Sequence, residues 1–154
     1  MSPGRYAPCE RHALRVAVDT NVWVSGLIAP LGPPGRIIAA VRNGLIEAVA
    51  SWDLAGEIGE VLRRPELAGY GITEQDVREA LVLLAPLLPD VDVDVEPRDP
   101  DDAPVIASAV AGAVDAIVTG DRGLVDDASL SGWLEARGIA LLTPAALLER
   151  LGAA

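Results

Sequence analysis

The chain has no lysine, no phenylalanine, one cysteine and one histidine among its 154 residues. Each shortage closes off a chemistry. Without lysine, every mechanism that needs an ε-amine is excluded. A single cysteine cannot form an internal disulfide, which fits a reducing cytoplasm. Cys9 lies in a Pro- and Gly-containing tail and reads as an ordinary exposed thiol. His12 sits in the same tail, so no Cys/His cluster exists to hold zinc. Apolar runs all break well short of the roughly 20 residues that span a bilayer. The opening "MSPGRYAPCERHALR" has charge but no apolar centre, so no signal peptide is expected there. Positive charge is scarce as well: 12 basic residues, all arginine, stand against 23 acidic ones, for a net charge of -11. Passive nucleic-acid binding draws its affinity from Lys and Arg that release phosphate counterions, so this balance argues against it.

The chain is rich in aliphatic residues. Hydrophobic residues make up 51% of it and aromatics only 3%, so Leu, Val, Ile and Ala must fill the core. The length suits one domain. Residues 1–14 read as a loose tail, 15–151 as the domain and 152–154 as its end. "RVAVD" is a β-branched run with no polar break, as expected of a strand buried on both faces. "PPGRIIAAVRNG" has the Pro start and Gly end of a helix, and "LIEAVAS" reads as the next strand. "SWDLAGEIGEVLRR" is a helix with Ser51 as N-cap, Pro65 beyond its end, and Arg63 and Arg64 where the helix dipole favours cations. "TEQDVREALVLLAPLL" opens with Thr73 and Asp76 in a near capping box and reads as one long helix. "VDVDVEP" alternates like an edge strand. Then follow a helix in "DDAPVIASAVAGA", a strand in "DAIVTG", a helix in "LSGWLEARG", a strand in "IALLT" and a helix in "PAALLERLG". Such β–α alternation predicts a parallel sheet with helices on both faces. Trp23, Trp52 and Trp133 lie in apolar contexts and read as packing residues.

In a sheet of this kind, ligands bind beyond the carboxyl ends of the strands. Asp19 follows "VAV" there, and Asp121 follows "AIVTG". Asp102 opens the helix leading into the second of these strands. On the helix of residues 51–64, Leu54, Ile58, Val61 and Leu62 form the buried stripe. At about 100° per residue, Glu57 falls beside that stripe and Glu60 points away from it. Asp99, Asp101, Asp126 and Asp127 read as solvated loop charge. Taken singly, Asp102 could be an N-cap and Glu57 a solvated flank; together the four acids suggest a shared cleft. Carboxylates about 4 Å apart repel by roughly 4 kcal/mol per pair at an effective dielectric near 20. A hard cation with oxygen ligands, Mg²⁺ or Mn²⁺, relieves that repulsion. It also suits phosphodiester hydrolysis, by activating water and offsetting phosphate charge. The same repulsion predicts that Asp19→Asn stabilises the metal-free protein.

"VAVDTNVWVSGL", "SWDLAGEIGEVLRRP", "PRDPDDAPVIASAVAGAVDAIVTGDRGL" and "GIALLTPAALL" together resemble the successive motifs of a PIN domain. The likeness is greatest to the toxin components of toxin–antitoxin systems related to the VapC toxins. "DTNV" alone is a weak signal; the ordered set over residues 15–151 is a strong one. The resemblance implies a three-layer α/β/α domain with a central, mainly parallel sheet and a metal-dependent ribonuclease activity. By position, Asp19, Glu57, Asp102 and Asp121 match the catalytic, metal-holding acids, and Asn21 and Thr119 their polar companions. Ala103 departs from the subgroup, where an Asn or an acid is common, which brings Asp99 and Asp101 in as further candidate acids. Arg122, beside the site, could contact substrate phosphate or pair with an acid. The resemblance further implies RNA as substrate, a cognate antitoxin protein as partner and a homodimer. Two other Mg²⁺-binding α/β designs fit less well. A phosphorelay receiver needs a lysine, and a haloacid-dehalogenase-type phosphatase needs an acid where Asn21 stands. A PIN fold kept as an inactive interaction module is the remaining alternative.

Overall fold

The computed structural model describes residues 13–84 and 86–153; Cys9, His12 and residues 1–12 of the expected tail lie outside the described residues. In chain order the elements are β1 (Leu14–Val18), α1 (Thr20–Ile28), α2 (Pro33–Arg42), β2 (Ile46–Val49), α3 (Trp52–Leu62), α4 (Pro65–Ala68) and α5 (Glu74–Leu83). A single 3-10 turn (Pro100–Asp102) then leads into α6 (Ala103–Ala111), β3 (Ala116–Val118), α7 (Arg122–Val125), α8 (Ala128–Glu135), β4 (Ala140–Leu142) and α9 (Pro144–Ala153). The four strands form one sheet in the order β2-β1-β3-β4. Every pairing is parallel. With helices flanking this sheet, the chain has the expected three-layer α/β/α architecture.

The central strands are apolar throughout because both of their faces are covered. Val16, Ala17 and Val18 of β1, and Ile117 and Val118 of β3, are fully buried. α6 packs against both strands and α8 against β4. From β1 the chain crosses to β2 on one side and later returns to place β3 on the other. The direction of winding therefore reverses between β1 and β3, and a crevice opens at their carboxyl ends.

Helix punctuation follows the residue chemistry. Ser51 Oγ accepts from Leu54 N at 3.3 Å and starts α3. Thr73 and Asp76 close a capping box at the start of α5. α1 and α2 cross closely, and glycine makes that possible. A Cβ on Gly26 would lie 2.9 Å from the Pro34 carbonyl oxygen, and one on Gly35 would overlap the Pro30 carbonyl.

The structure corrects four sequence expectations and assigns one stretch that they left open. α5 ends at Leu83 instead of continuing to Leu88, since Pro86 lacks the N–H and disfavours helix before it. Residues 91–97 pair with no strand; among the described residues this stretch of chain makes one isolated bridge, Ser51 with Leu88, just before it. Trp52 is exposed (64%) on the first turn of α3 and is no packing residue, whereas Trp23 is buried in the core. Asp127 is buried instead of solvated, because its carboxylate caps α8 by accepting from Leu130 N at 3.2 Å. The run after Asp19, unassigned from sequence, is helix α1.

Candidate active site

Asp19 and Asp121 stand at the ends of β1 and β3, the two strands that flank the crevice. The ladder carries one step past β1, with Asp19 N donating to Val118 O at 2.9 Å. The Asp19 carboxylate is then fixed from three directions. Oδ1 accepts from Thr20 N at 2.8 Å, capping α1. Oδ2 accepts from Thr119 Oγ1 at 2.8 Å and from Asn21 Nδ2 at 3.3 Å. Asn21 also reaches across the crevice, its Oδ1 accepting from Gly120 N at 2.9 Å. Asp121 N donates back to Thr119 Oγ1 at 3.0 Å, and Asp121 Oδ1 accepts from Gly123 N at 2.9 Å to start α7. Asn21 and Thr119 thus hold the loops after β1 and β3 in register.

Glu57 joins from α3. Thr20 Oγ1 donates to Glu57 Oε2, so the residue after Asp19 ties the helix acid to the end of β1. Glu60, one turn on, faces solvent and lies 3.6 Å from Arg64. Below this contact, buried Ser108 joins α6 to the start of α3. Ser51 N donates to Ser108 Oγ at 2.9 Å, and Ser108 Oγ donates to Pro104 O at 2.8 Å.

Asp102 arrives by the 3-10 turn. Asp99 Oδ1 accepts from Asp101 N at 3.0 Å, and Asp102 N donates to Asp99 O at 3.0 Å, which bends the chain into α6. Asp102 is only 9% exposed, yet its side chain makes no cap hydrogen bond. It lines a small cavity, about 110 Å³, with Arg98, Asp99, Asp121, Gly123, Leu124 and Asp127. The larger hollows, beside Arg78 and beside Val93, contain none of the four acids.

The charges are expensive to hold here. Burial pushes the Asp102 carboxyl up to about 7, and the negative charges of Asp19, Asp121, Asp99 and Asp101 add to the rise. Burial also raises Asp19, with Asp121 contributing, while the hydrogen bonds from Thr119, Thr20 and Asn21 pull the other way. Glu57 is raised by burial, then by Asp19, Asp101 and Glu60, against the Thr20 hydrogen bond. Asp102, Asp19 and half-buried Glu57 therefore all hold their protons more tightly than free carboxyls do, a cost that a bound cation would offset.

Residues 15–123 match the family model described as PIN domain. This chain belongs to the PIN domain family. It is also 30% identical, over 88% of each chain, to an uncharacterized protein of Methanocaldococcus jannaschii. No solved structure matches it. PIN domains are a nuclease fold and are generally dependent on a divalent metal, and the matched segment contains Asp19, Glu57, Asp102 and Asp121.

The donor set of this PIN domain fits a hard cation. Its acids offer only oxygen, three of them are destabilised by their own charge, and Asp102 has a free carboxylate. Among the described residues no three acids converge closely enough to enclose an ion. Mg²⁺ keeps several waters and takes one or two carboxylates directly, so it does not require such an enclosure. Asp19, Asp102 and Asp121 are the residues that would hold it, with Glu57 tied to Thr20 beside Asp19. Asp101 stays exposed and Asp99 is occupied in shaping the turn. Arg122 is exposed on α7 and, among the described residues, has no ion-pair partner. Two residues of this PIN domain site were missed from sequence, Thr20 and Asp127. Thr20 lies within the "DTN" run, but only the packing of α3 on α1 gives its hydroxyl a partner.

Proposed function

We propose that this PIN domain is an endoribonuclease that hydrolyses RNA phosphodiester bonds with Mg²⁺ or Mn²⁺, and that it acts as the toxin of a toxin–antitoxin pair. The observation that supports the nuclease reading is that, at the ends of β1 and β3, Asp121 raises the proton affinity of Asp19 and both raise that of Asp102, with Glu57 close enough to feel Asp19, a repulsion that a cation would relieve. A divalent ion bound there supplies a water of lowered pKa and offsets charge on the phosphate. The protein's own part is positional. Asp19 is locked by three donors and keeps a fixed orientation. Asp102, with no capping hydrogen bond, keeps its carboxylate free for cation or proton. Asn21 and Thr119 keep the ends of β1 and β3 at constant separation.

Purified protein is expected to cleave single-stranded RNA with Mg²⁺ or Mn²⁺ and to stop in EDTA. Asp19→Asn and Asp121→Asn are each expected to abolish cleavage with the circular dichroism spectrum retained. Full activity in both variants rejects the assignment. An inert wild type that remains folded leaves the interaction-module reading in its place.

The toxin role rests on the ordered motifs and on the charge of the site. An antitoxin's arginine would pair with the acids through two oxygens and take the cation's place. Expression alone is expected to slow the growth of a host cell, and co-expression of a small neighbouring protein to restore it. We also propose a homodimer in the cytoplasm, checked by sedimentation of the purified protein and by fractionation. Growth unaffected by wild type, with no neighbour that binds, rejects the toxin role but leaves the nuclease reading intact.

A further inference from the structure

We infer that Arg98 is a phosphate-binding residue of this site, taking a backbone phosphate of the RNA strand next to the acids. The inference rests on the nuclease reading and adds a substrate contact to it. Arg98 directly precedes the turn that delivers Asp102, and its side chain lines the same cavity as Asp102 and Asp121. Its Nε lies 3.7 Å from Asp127 Oδ2. Asp127 is itself nearly buried and held in place as the cap of α8. The Arg98 side chain is otherwise 75% exposed and, among the described residues, has no second ion-pair partner.

An exposed ion pair of that length adds little to stability, so the fold alone does not account for this arrangement. Its effect is to hold a guanidinium at an acidic cleft that would otherwise repel a polyanion. The other ion-paired arginines sit with glutamates elsewhere, Arg15 with Glu47, Arg42 with Glu79, Arg63 and Arg78 with Glu74, and Arg64 with Glu60. Arg98 alone among these pairs shares a cavity with the candidate catalytic acids. A guanidinium offers phosphate two parallel donors, which suits a backbone contact. Tethering to Asp127 also lessens the freedom that the side chain loses on binding.

The test uses full-length protein carrying Asp19→Asn, so that binding is read without turnover. Affinity for a fluorescent single-stranded oligoribonucleotide is measured by anisotropy in Mg²⁺ across a salt series. Adding Arg98→Gln is expected to weaken binding about tenfold and to flatten the log–log salt slope by about 0.7, the share of one single-strand phosphate contact. Arg98→Lys, which keeps the charge but loses the fork, is expected to retain the slope with intermediate affinity. An unchanged slope in Arg98→Gln overturns the inference, with or without a fall in melting temperature, as does a parent protein that binds no RNA. Cleavage by wild type is scored separately. Intact RNA there overturns the nuclease reading, while the binding measurements decide the role of Arg98.

Discussion

Thr119 Oγ1 donates to Asp19 Oδ2 at 2.8 Å and so joins two residues 100 positions apart in the chain. The same oxygen accepts from Asp121 N at 3.0 Å. One fully buried hydroxyl therefore sets the spacing of two acids. Thr119→Val keeps the volume but leaves the Asp121 N–H unpartnered and strips Asp19 of its shortest side-chain donor. Such losses cost about 1–3 kcal/mol each when buried. Urea denaturation is expected to show a drop of that order, and cleavage to fall at least tenfold. Thr119→Ser is expected to restore both.

Asp102 and Asp19 differ in what their charge is attached to, and the difference reverses the expected effect of neutralisation. Asp19→Asn was expected from the sequence to stabilise the metal-free protein. Its carboxylate accepts three hydrogen bonds, however, and an amide nitrogen cannot accept those made to Oδ2. Asp102 has no capping hydrogen bond to lose and feels four negative neighbours. Asp102→Asn is thus the variant expected to melt above wild type in EDTA. Wild type should gain from cation, by about 2.7 kcal/mol at roughly 100 times its dissociation constant. The variant should gain much less. Scanning calorimetry with and without Mn²⁺ reads both effects, and an unresponsive wild type counts against a shared cation site.

Stability should also depend on pH in a definite direction. Asp102 titrates at about 7 in the folded protein against an ordinary 3.8. The folded state thus binds this proton more tightly than the unfolded state does. Its contribution is fully present below about pH 4 and is lost as pH rises through 7. Burial raises Asp19 and Glu57 in the same sense. The Glu74 carboxyl, held low by Arg63, acts oppositely, but its contribution is already complete above its ordinary 4.5. Melting temperature in EDTA is therefore expected to fall between pH 5 and pH 8, while Mn²⁺ affinity by titration calorimetry rises over the same range. A flat profile in EDTA would mean that the acids do not share a field.

Gly35→Ala tests the crossing of α1 and α2. The added methyl meets the backbone carbonyl of Pro30, which no rotamer change can move aside. A loss of about 1–3 kcal/mol or more is expected, as for other overpacked interiors. Gly56→Ala, on an open surface of α3, is expected to be neutral or slightly stabilising. Paired urea titrations compare the two.

How much was legible in the sequence depends on the range of the forces involved. β1 and β3 could be read because strands covered on both faces must be apolar throughout, and Val16 to Val18 are. Glu57 could be separated from Glu60 because helical periodicity fixes direction locally. Residues 91–97 misled because alternation describes a strand's two faces and says nothing of whether a partner backbone lies alongside. Asp127 was misread because an aspartate in a loop and an aspartate capping a buried helix start look alike until the helix is packed. Trp52 failed similarly, since an apolar neighbourhood in sequence does not say which side of α3 is covered. The hydroxyl of Thr20 and the placement of Arg98 depend on contacts between elements far apart in the chain, beyond the reach of any local pattern.

The interleaved strand order has a consequence for biosynthesis. β3 lies beside β1, yet nearly a hundred residues separate them, and Asp121 follows β3. Ribosomes add about 5–20 residues per second, and domains fold as units once their parts are available. For several seconds a growing chain therefore carries Asp19, Glu57 and then Asp102 without the strand that brings Asp121 to them. A polypeptide released early, or clipped before β3, is expected to be inert. On the proposed nuclease and toxin reading, only translation past Asp121 completes the site, so a chain stalled part-way would be harmless to the cell that makes it.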